Sequence, residues 1–159
     1  FGALPLYIVD ELGFTTAAFG LLSAVNTVMI IFLEVPINDY LSSISYKRSM
    51  IAGALLAAIG FGLFAVAHTI IPLIAAIVIF TFGEMIFFPV TAAYTSEAAP
   101  ENRKGEYMGY YQMTFSFAFS AGPWLGTVVF QNFGSKILWI AAFAFGLVSA
   151  LLLSLLKRK

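Results

Sequence analysis

Five long apolar segments follow one another along this chain of 159 residues, and each is long enough to cross a bilayer as a helix. A membrane-spanning helix needs roughly 20 predominantly apolar residues. Only 10% of the residues are charged, whereas soluble domains carry roughly 25%. The sequence therefore predicts an all-α polytopic transmembrane bundle with the lipid bilayer as its surroundings. The predicted spans cover about residues 14–37, 49–67, 70–94, 107–130 and 137–156.

A shorter apolar stretch precedes these spans and ends at Asp10 and Glu11. It is too short to span a membrane alone. We interpret residues 1–11 as the end of a helix whose beginning is missing, so residues 1–159 form a single helical repeat with a truncated first helix. Thr15 or Thr16 is expected to cap the first complete span, and Pro36 to mark its end.

The basic residues are concentrated at one end of the predicted bundle. If the spans alternate in direction, seven of the eight Lys and Arg residues fall on one side: Lys47, Arg48, Arg103, Lys104, Lys157, Arg158 and Lys159. Positively charged loops normally remain cytoplasmic. The pattern therefore predicts a multi-pass protein of the plasma (inner) membrane with a cytoplasmic C-terminus.

Glu84 lies near the middle of the third span, where an ionisable side chain is rare unless it faces an interior or a cavity. Thr81, Phe88 and Thr91 follow the same helix face at steps of three and four residues. Because desolvation favours the neutral form of a carboxyl, Glu84 is the candidate to carry a proton or to pair with a cationic ligand. A neutral Glu that only locks two helices together is the structural alternative.

Two further spans carry polar stripes. Asn26 and Glu34 share a face of the first span, and Gln112 and Ser116 share a face of the fourth. The simplest arrangement places these two spans and the Glu84 span around an internal cavity, with the two almost wholly apolar spans outside, packed through small residues and facing lipid. The predicted cavity-lining residues are Asn26, Thr81, Phe88, Thr91, Gln112 and Ser116.

Proline and glycine define a third group of candidates. Pro89 cannot donate a backbone hydrogen bond, so the helix should loosen there and free the carbonyl of Met85. Gly122 and Gly126 are four residues apart, a spacing that lets a neighbouring helix approach closely. Pro123 should bend the same helix, and the bend is either a hinge or a simple packing feature.

Charged residues near the basic end are candidates for gating. Glu34 is placed to pair with Lys47 or Arg48, and Asp39 and Arg103 lie in or near the predicted loops. Solvated edge charges are the alternative interpretation. The sequence has no metal-ligand cluster, nucleophile motif or phosphate-binding loop, so we predict no enzyme activity, no metal, no cofactor and no nucleic-acid partner.

Three segments resemble the C-terminal half of a major facilitator superfamily transporter, more narrowly its proton-linked drug-efflux branch. They are Gly83–Pro89 (GEMIFFP), Ala98–Gly105 (AAPENRKG) and Gly122–Gly126 (GPWLG). The resemblance covers the whole chain and implies that the stub ends the seventh helix and the spans are helices eight to twelve. Asp39 and the pair Lys47-Arg48 match the family's loop signature, but Tyr40 replaces the expected Arg.

The resemblance implies a secondary active transporter that moves a small solute or drug by alternating access, with proton coupling, as in a multidrug antiporter. Its implied partners are the lipid bilayer, the missing N-terminal half of the same transporter and a small-molecule substrate. The alternative from another functional class is a structural or channel-like membrane bundle without transport activity.

Overall fold

The computed structural model describes residues 2–156, so the basic tail Lys157–Lys159 lies outside the described residues. The described part contains five helices long and apolar enough to cross a membrane, and no strand, which confirms the predicted all-α fold. The protein is therefore a multi-pass membrane protein. The helices are α1 (Thr16–Leu41), α2 (Tyr46–Phe64), α3 (Ile70–Ala98), α4 (Lys104–Phe133) and α5 (Ser135–Ser154), with a π-helical stub at Leu6–Glu11 and a 3₁₀ turn at Glu101–Arg103.

Helix α1 begins as predicted but ends later. The Thr15 hydroxyl accepts a hydrogen bond from the backbone N–H of Ala18 at 3.1 Å and caps the helix. The prediction that Pro36 ends the helix is wrong, because α1 continues to Leu41. One proline removes a single intrahelical bond, and spanning helices tolerate this where other groups satisfy the freed backbone. Asp39 is consequently in the last turn of α1 and not in a loop.

Helix α3 is the centre of the bundle and contacts α1, α2 and α4. Its closest neighbour is α2, and glycine makes that approach possible. A Cβ added at Gly60 would lie 2.6 Å from the Cβ of Phe80, closer than two carbon atoms can pack. Helix α5 packs on the opposite side of α2, where Gly146 contacts Ala58. The two apolar helices thus pack through small residues, as their sequences predict.

Side-chain hydrogen bonds hold the basic end of the bundle together. Tyr46 donates its hydroxyl to Glu97 Oε2 at 2.7 Å and joins the start of α2 to the last turn of α3. Lys47 Nζ donates to the carbonyl oxygen of Leu156 at 2.6 Å, just beyond the end of α5. A cation at this position also compensates the negative end of the helix dipole.

The opposite end is organised by the stub. Tyr7 is fully buried and donates its hydroxyl to the carbonyl oxygens of Phe64 (2.8 Å) and Ala67 (2.9 Å) at the end of α2. The rings of Tyr7 and Trp139 meet edge to face at 5.5 Å. These contacts form the main hydrophobic core and leave most of α1 and α4 uncovered within the described residues.

Candidate functional site

Asn26 of α1 connects two polar residues of α3. Its Nδ2 donates to Thr81 Oγ1 at 2.9 Å and to Glu84 Oε2 at 2.8 Å. Thr81 is fully buried and donates its own hydrogen to the Ile77 carbonyl, so its oxygen is free to accept from Asn26. The structure therefore brings three residues predicted from two separate stripes into one hydrogen-bonded cluster.

A cavity of about 420 Å³ opens beside this cluster between α1, α3 and α4, and we call it the Glu84 cavity. It is lined by Ile30, Glu34, Glu84, Met85, Phe88, Pro89, Ala92 and Tyr111. Two carboxyl groups, Glu34 and Glu84, therefore line the same space. Two carboxyl groups that line one largely apolar cavity suit a proton or a cationic group.

The α4 side of the cavity is built from aromatic residues. Tyr111 donates its hydroxyl to the Phe88 carbonyl at 3.1 Å and lies 3.0 Å from Thr91 Oγ1. The Phe88 ring packs edge to face on Phe115 at 5.2 Å and remains 39% exposed, so it is available to a ligand. Phe88 therefore lines the Glu84 cavity, whereas Asn26, Thr81 and Thr91, which are also predicted to line a cavity, are not among its lining residues.

Tyr111 is the cavity residue that sequence reasoning missed. Its position near the end of a span favours the interfacial aromatic belt. The available signal is the four-residue spacing of Tyr111 and Phe115 on α4, which places both aromatic rings on one helix face.

The predicted polar stripe of α4 does not line the Glu84 cavity. Gln112 and Ser116 are exposed, and the Ser116 hydroxyl donates to the Gln112 carbonyl of its own helix at 3.2 Å. Adjacent residues on a helix are rotated by about 100°, so Tyr111 faces α3 while Gln112 turns aside. Helix α4 therefore lines the Glu84 cavity with Tyr111, and not with Gln112 and Ser116 as the sequence predicts.

Pro89 frees a backbone acceptor, and α1 supplies its donor. The missing N–H of Pro89 leaves the Met85 carbonyl without its helical partner. Asn38 Nδ2 donates to this carbonyl at 3.1 Å and also to the Glu34 carbonyl at 2.7 Å. The sequence predicts the free carbonyl, but Asn38 was not among the predicted site residues.

The glycine pair of α4 packs less tightly than predicted. A Cβ at Gly122 would meet no described atom within 4 Å, and a Cβ at Gly126 would lie 3.7 Å from the Cβ of Ala3. Pro123 lies inside α4 and faces Gly2, where an added Cβ would lie 2.7 Å from the proline ring. Within residues 2–156, the close contact is therefore at Pro123 and not at Gly122.

The candidate gating charges are not gathered around Glu34. Lys47 binds the end of α5, while Asp39 and Arg48 are exposed. Arg103 forms a bidentate pair with Glu106, at 2.7 Å from Nε and 2.6 Å from Nη2. Because both partners are on the surface, this pair contributes little to stability.

Comparison with known proteins places this geometry in context. A family model described as the Major Facilitator Superfamily matches residues 1–159. Among curated proteins, the chain is 25% identical over 133 residues to the uncharacterized MFS-type transporter YqjV of Bacillus subtilis, covering 82% of this chain and 32% of the relative. It is 25% identical over 143 residues to the MFS-type transporter YttB of the same species, covering 88% of this chain and 36% of that protein.

A shorter match is to the MFS-type transporter MJ1560 of Methanocaldococcus jannaschii, 30% identical over 64 residues, with 40% of this chain and 17% of the relative covered. No solved structure matches the chain. The chain spans about a third of the length of the two Bacillus relatives.

Proposed function

Because this chain belongs to the Major Facilitator Superfamily, we propose that it is the C-terminal half of a secondary active transporter that moves a small solute by alternating access. The names of the relatives support transport, and the matched length supports a longer protein. The proposed partner is the N-terminal half of the same transporter, packed on the uncovered faces of α1 and α4. Sites of such transporters lie between repeats near the middle of the bilayer.

The observation that carries the mechanism is the hydrogen-bonded Glu84 at the edge of a cavity that also contains Glu34. The stability of an ionised carboxyl depends on the water and the donors around it. Here Asn26 is the donor, and it is on a different helix from Glu84. A movement of α1 against α3 that breaks this bond would favour uptake of a proton by Glu84, and a movement that forms it would favour release.

A cationic solute is the substrate class that this cavity fits best. Glu34 and Glu84 would attract the charge, and the exposed Phe88 ring would offer its face to the cation. A cation and a proton would compete for the same carboxyls. Such competition is the basis of antiport, and it agrees with the resemblance to the drug-efflux branch.

A second function rests on the same contact. The Asn26–Glu84 bond joins α1 to α3 whether or not a proton moves, so Glu84 could serve as a helix clamp in a structural or channel-like bundle.

We place the protein in the plasma membrane with the basic end and the C-terminus cytoplasmic, because the Lys and Arg residues are concentrated there.

The deciding experiment measures efflux of the cationic dye ethidium from cells that express the full-length protein, with and without a protonophore. Glu84→Gln keeps the size and hydrogen bonding of the side chain but cannot ionise, so it should abolish proton-driven efflux while the protein stays folded. Glu84→Asp should retain part of the activity.

The matched control is Glu106→Gln, because this exposed carboxylate pairs only at the surface. Its efflux should equal that of the unmodified protein. If Glu84→Gln exports the dye at the native rate and responds equally to the protonophore, the helix-clamp interpretation is correct and the proton-coupled one is wrong.

A further inference from the structure

Two more cavities lie on the basic side of the Glu84 cavity. The first, which we call the basic-end groove, has a volume of about 340 Å³. The second, which we call the junction cavity, has a volume of about 250 Å³ and lies where α1, α2 and α3 meet. The groove and the junction cavity share Ser42, Ile44 and Tyr46, and the junction cavity shares Pro89 with the Glu84 cavity.

A buried serine lines the junction cavity, and its hydroxyl has no hydrogen-bond partner among residues 2–156. Ser49 is 2% exposed, and its Oγ is bonded to no group among the described residues. Buried hydroxyls in folded proteins are nearly always hydrogen-bonded, either to protein or to water. Ser49 lines the junction cavity, so a rotation of its side chain toward that cavity would bring its Oγ within reach of water.

Two other polar residues, Asn38 and Ser42, line the same cavity. Asn38 uses its Nδ2 for both of its hydrogen bonds, which leaves its Oδ1 able to accept another. The Ser42 hydroxyl donates to the Asp39 carbonyl and can still accept. A buried water needs two to four polar partners and roughly 10–15 Å³. The cavity of about 250 Å³ therefore offers both the partners and the room.

We propose that the junction cavity binds water and forms a second aqueous route from the basic end to the Glu84 cavity, with Asn38 as the partition between them. Only the consequence of this route, which is proton access to Glu84, rests on the proposed function. The water site itself depends on the polar groups around Ser49.

The position of Asn38 explains why it is the partition. Asn38 lines the junction cavity, whereas Met85, whose carbonyl it binds, lines the Glu84 cavity. The Asn38–Met85 bond therefore crosses from one space to the other beside Pro89. Breaking it would expose the Met85 carbonyl to water and join the two cavities.

The ionisable groups along this route are few. Tyr46, Lys47, Tyr94 and Glu97 line the basic-end groove, and Tyr46 and Glu97 are bonded to each other. Glu34, Glu84 and Tyr111 line the Glu84 cavity. Of the residues that line the junction cavity, only Tyr46 is ionisable, so water and not a side-chain relay would carry protons across it.

Cysteine labelling tests for water independently of transport. This chain has no cysteine, and any cysteines elsewhere in the full-length protein would be replaced. Ser49→Cys is compared with Ala54→Cys, which is on the same helix and is also buried but lines none of the three cavities. The probe is the small cationic reagent aminoethyl methanethiosulfonate, applied to inverted membrane vesicles.

Because the thiolate is the reactive form and dry apolar surroundings suppress it, Ser49→Cys should react at least about tenfold faster than Ala54→Cys. Equal, slow reaction of the two would show that the cavity is dry and would overturn the proposal. Val90→Cys is a second probe, since Val90 lines the cavity from α3 and its replacement is smaller. It keeps the test valid if Ser49→Cys does not fold.

The partition is tested by passive proton flux into proteoliposomes without substrate. Asn38→Ala should leak protons faster than the unmodified protein, and adding Glu84→Gln should remove the leak. A leak that persists in the double variant contradicts Glu84 as the end of the route while leaving the labelling result intact. No leak in Asn38→Ala overturns the role of Asn38 as the partition.

Discussion

The side-chain amide of Asn38 occupies the place of a backbone donor, because it binds the Met85 carbonyl that Pro89 leaves unpaired in α3. The bond joins α1 to α3 on the basic side of the Asn26–Glu84 contact. The two helices are therefore held at two points, one by a backbone acceptor and one by a carboxylate.

A double-mutant cycle tests whether the Asn38 amide replaces the backbone N–H that Pro89 lacks. Asn38→Ala alone should destabilise the full-length protein by about 1 kcal/mol, because a buried carbonyl loses its partner. In a Pro89→Ala background the restored N–H can bind Met85 within the helix, so Asn38→Ala should cost clearly less. Thermal unfolding in detergent measures all four proteins. Equal costs in both backgrounds would mean that Asn38 acts elsewhere.

Asn26→Leu should destabilise the protein by about 1 to 2 kcal/mol, because Thr81 and Glu84 both lose their donor. The matched control is Asn132→Leu, since the Asn132 amide binds only the Val128 carbonyl of its own exposed helix end. That variant should unfold within a few tenths of a kcal/mol of the native protein. A similar loss in both would show that the Asn26 contact adds no stability.

Gly60→Leu should disrupt the bundle, because the Phe80 backbone and Cβ already occupy the space that a side chain needs. We expect a loss of about 3 kcal/mol or more, seen as reduced folded yield in size-exclusion chromatography. Gly122→Leu is the comparison, since a Cβ there meets no described atom. If Gly122→Leu is equally disruptive, a helix beyond the described residues packs on that face of α4.

A cysteine at Ser43 should be inaccessible to an impermeant thiol reagent added outside intact cells, since the basic end is expected to be cytoplasmic. A cysteine at Asn132, near the opposite end of the bundle, should react readily. Labelling after permeabilisation checks that both cysteines are reactive. Modification of Ser43→Cys from outside would reverse the orientation.

Helical periodicity accounts for most of what the sequence predicts correctly. Thr81 and Glu84 are three residues apart, so they must share a face whatever surrounds them. Asn26 is the one strongly polar amide in the middle of its span, and a polar group at that depth seeks a polar partner. Their meeting in the structure follows from these two constraints.

The remaining contacts depend on how the helices are positioned against one another. The pairing of Asn38 with Met85 requires the axial register of α1 against α3, which no local pattern encodes. Whether Tyr111 or Gln112 faces the cavity depends on how α4 is rotated about its own axis, since adjacent residues point about 100° apart. The continuation of α1 past Pro36 shows that a proline is a weaker stop in a helix that has few alternatives to its own hydrogen bonds.

The contact of Gly146 with Ala58 has a consequence for biosynthesis. Helix α2 leaves the ribosome well before α5, yet α5 covers one of its sides. The hairpin of α2 and α3 can assemble early because it is local, but the surface of α2 that contacts α5 stays uncovered until α5 has been synthesised. A nascent protein arrested before residue 135 would expose this surface, and membrane quality control would have a simple signal of incomplete synthesis.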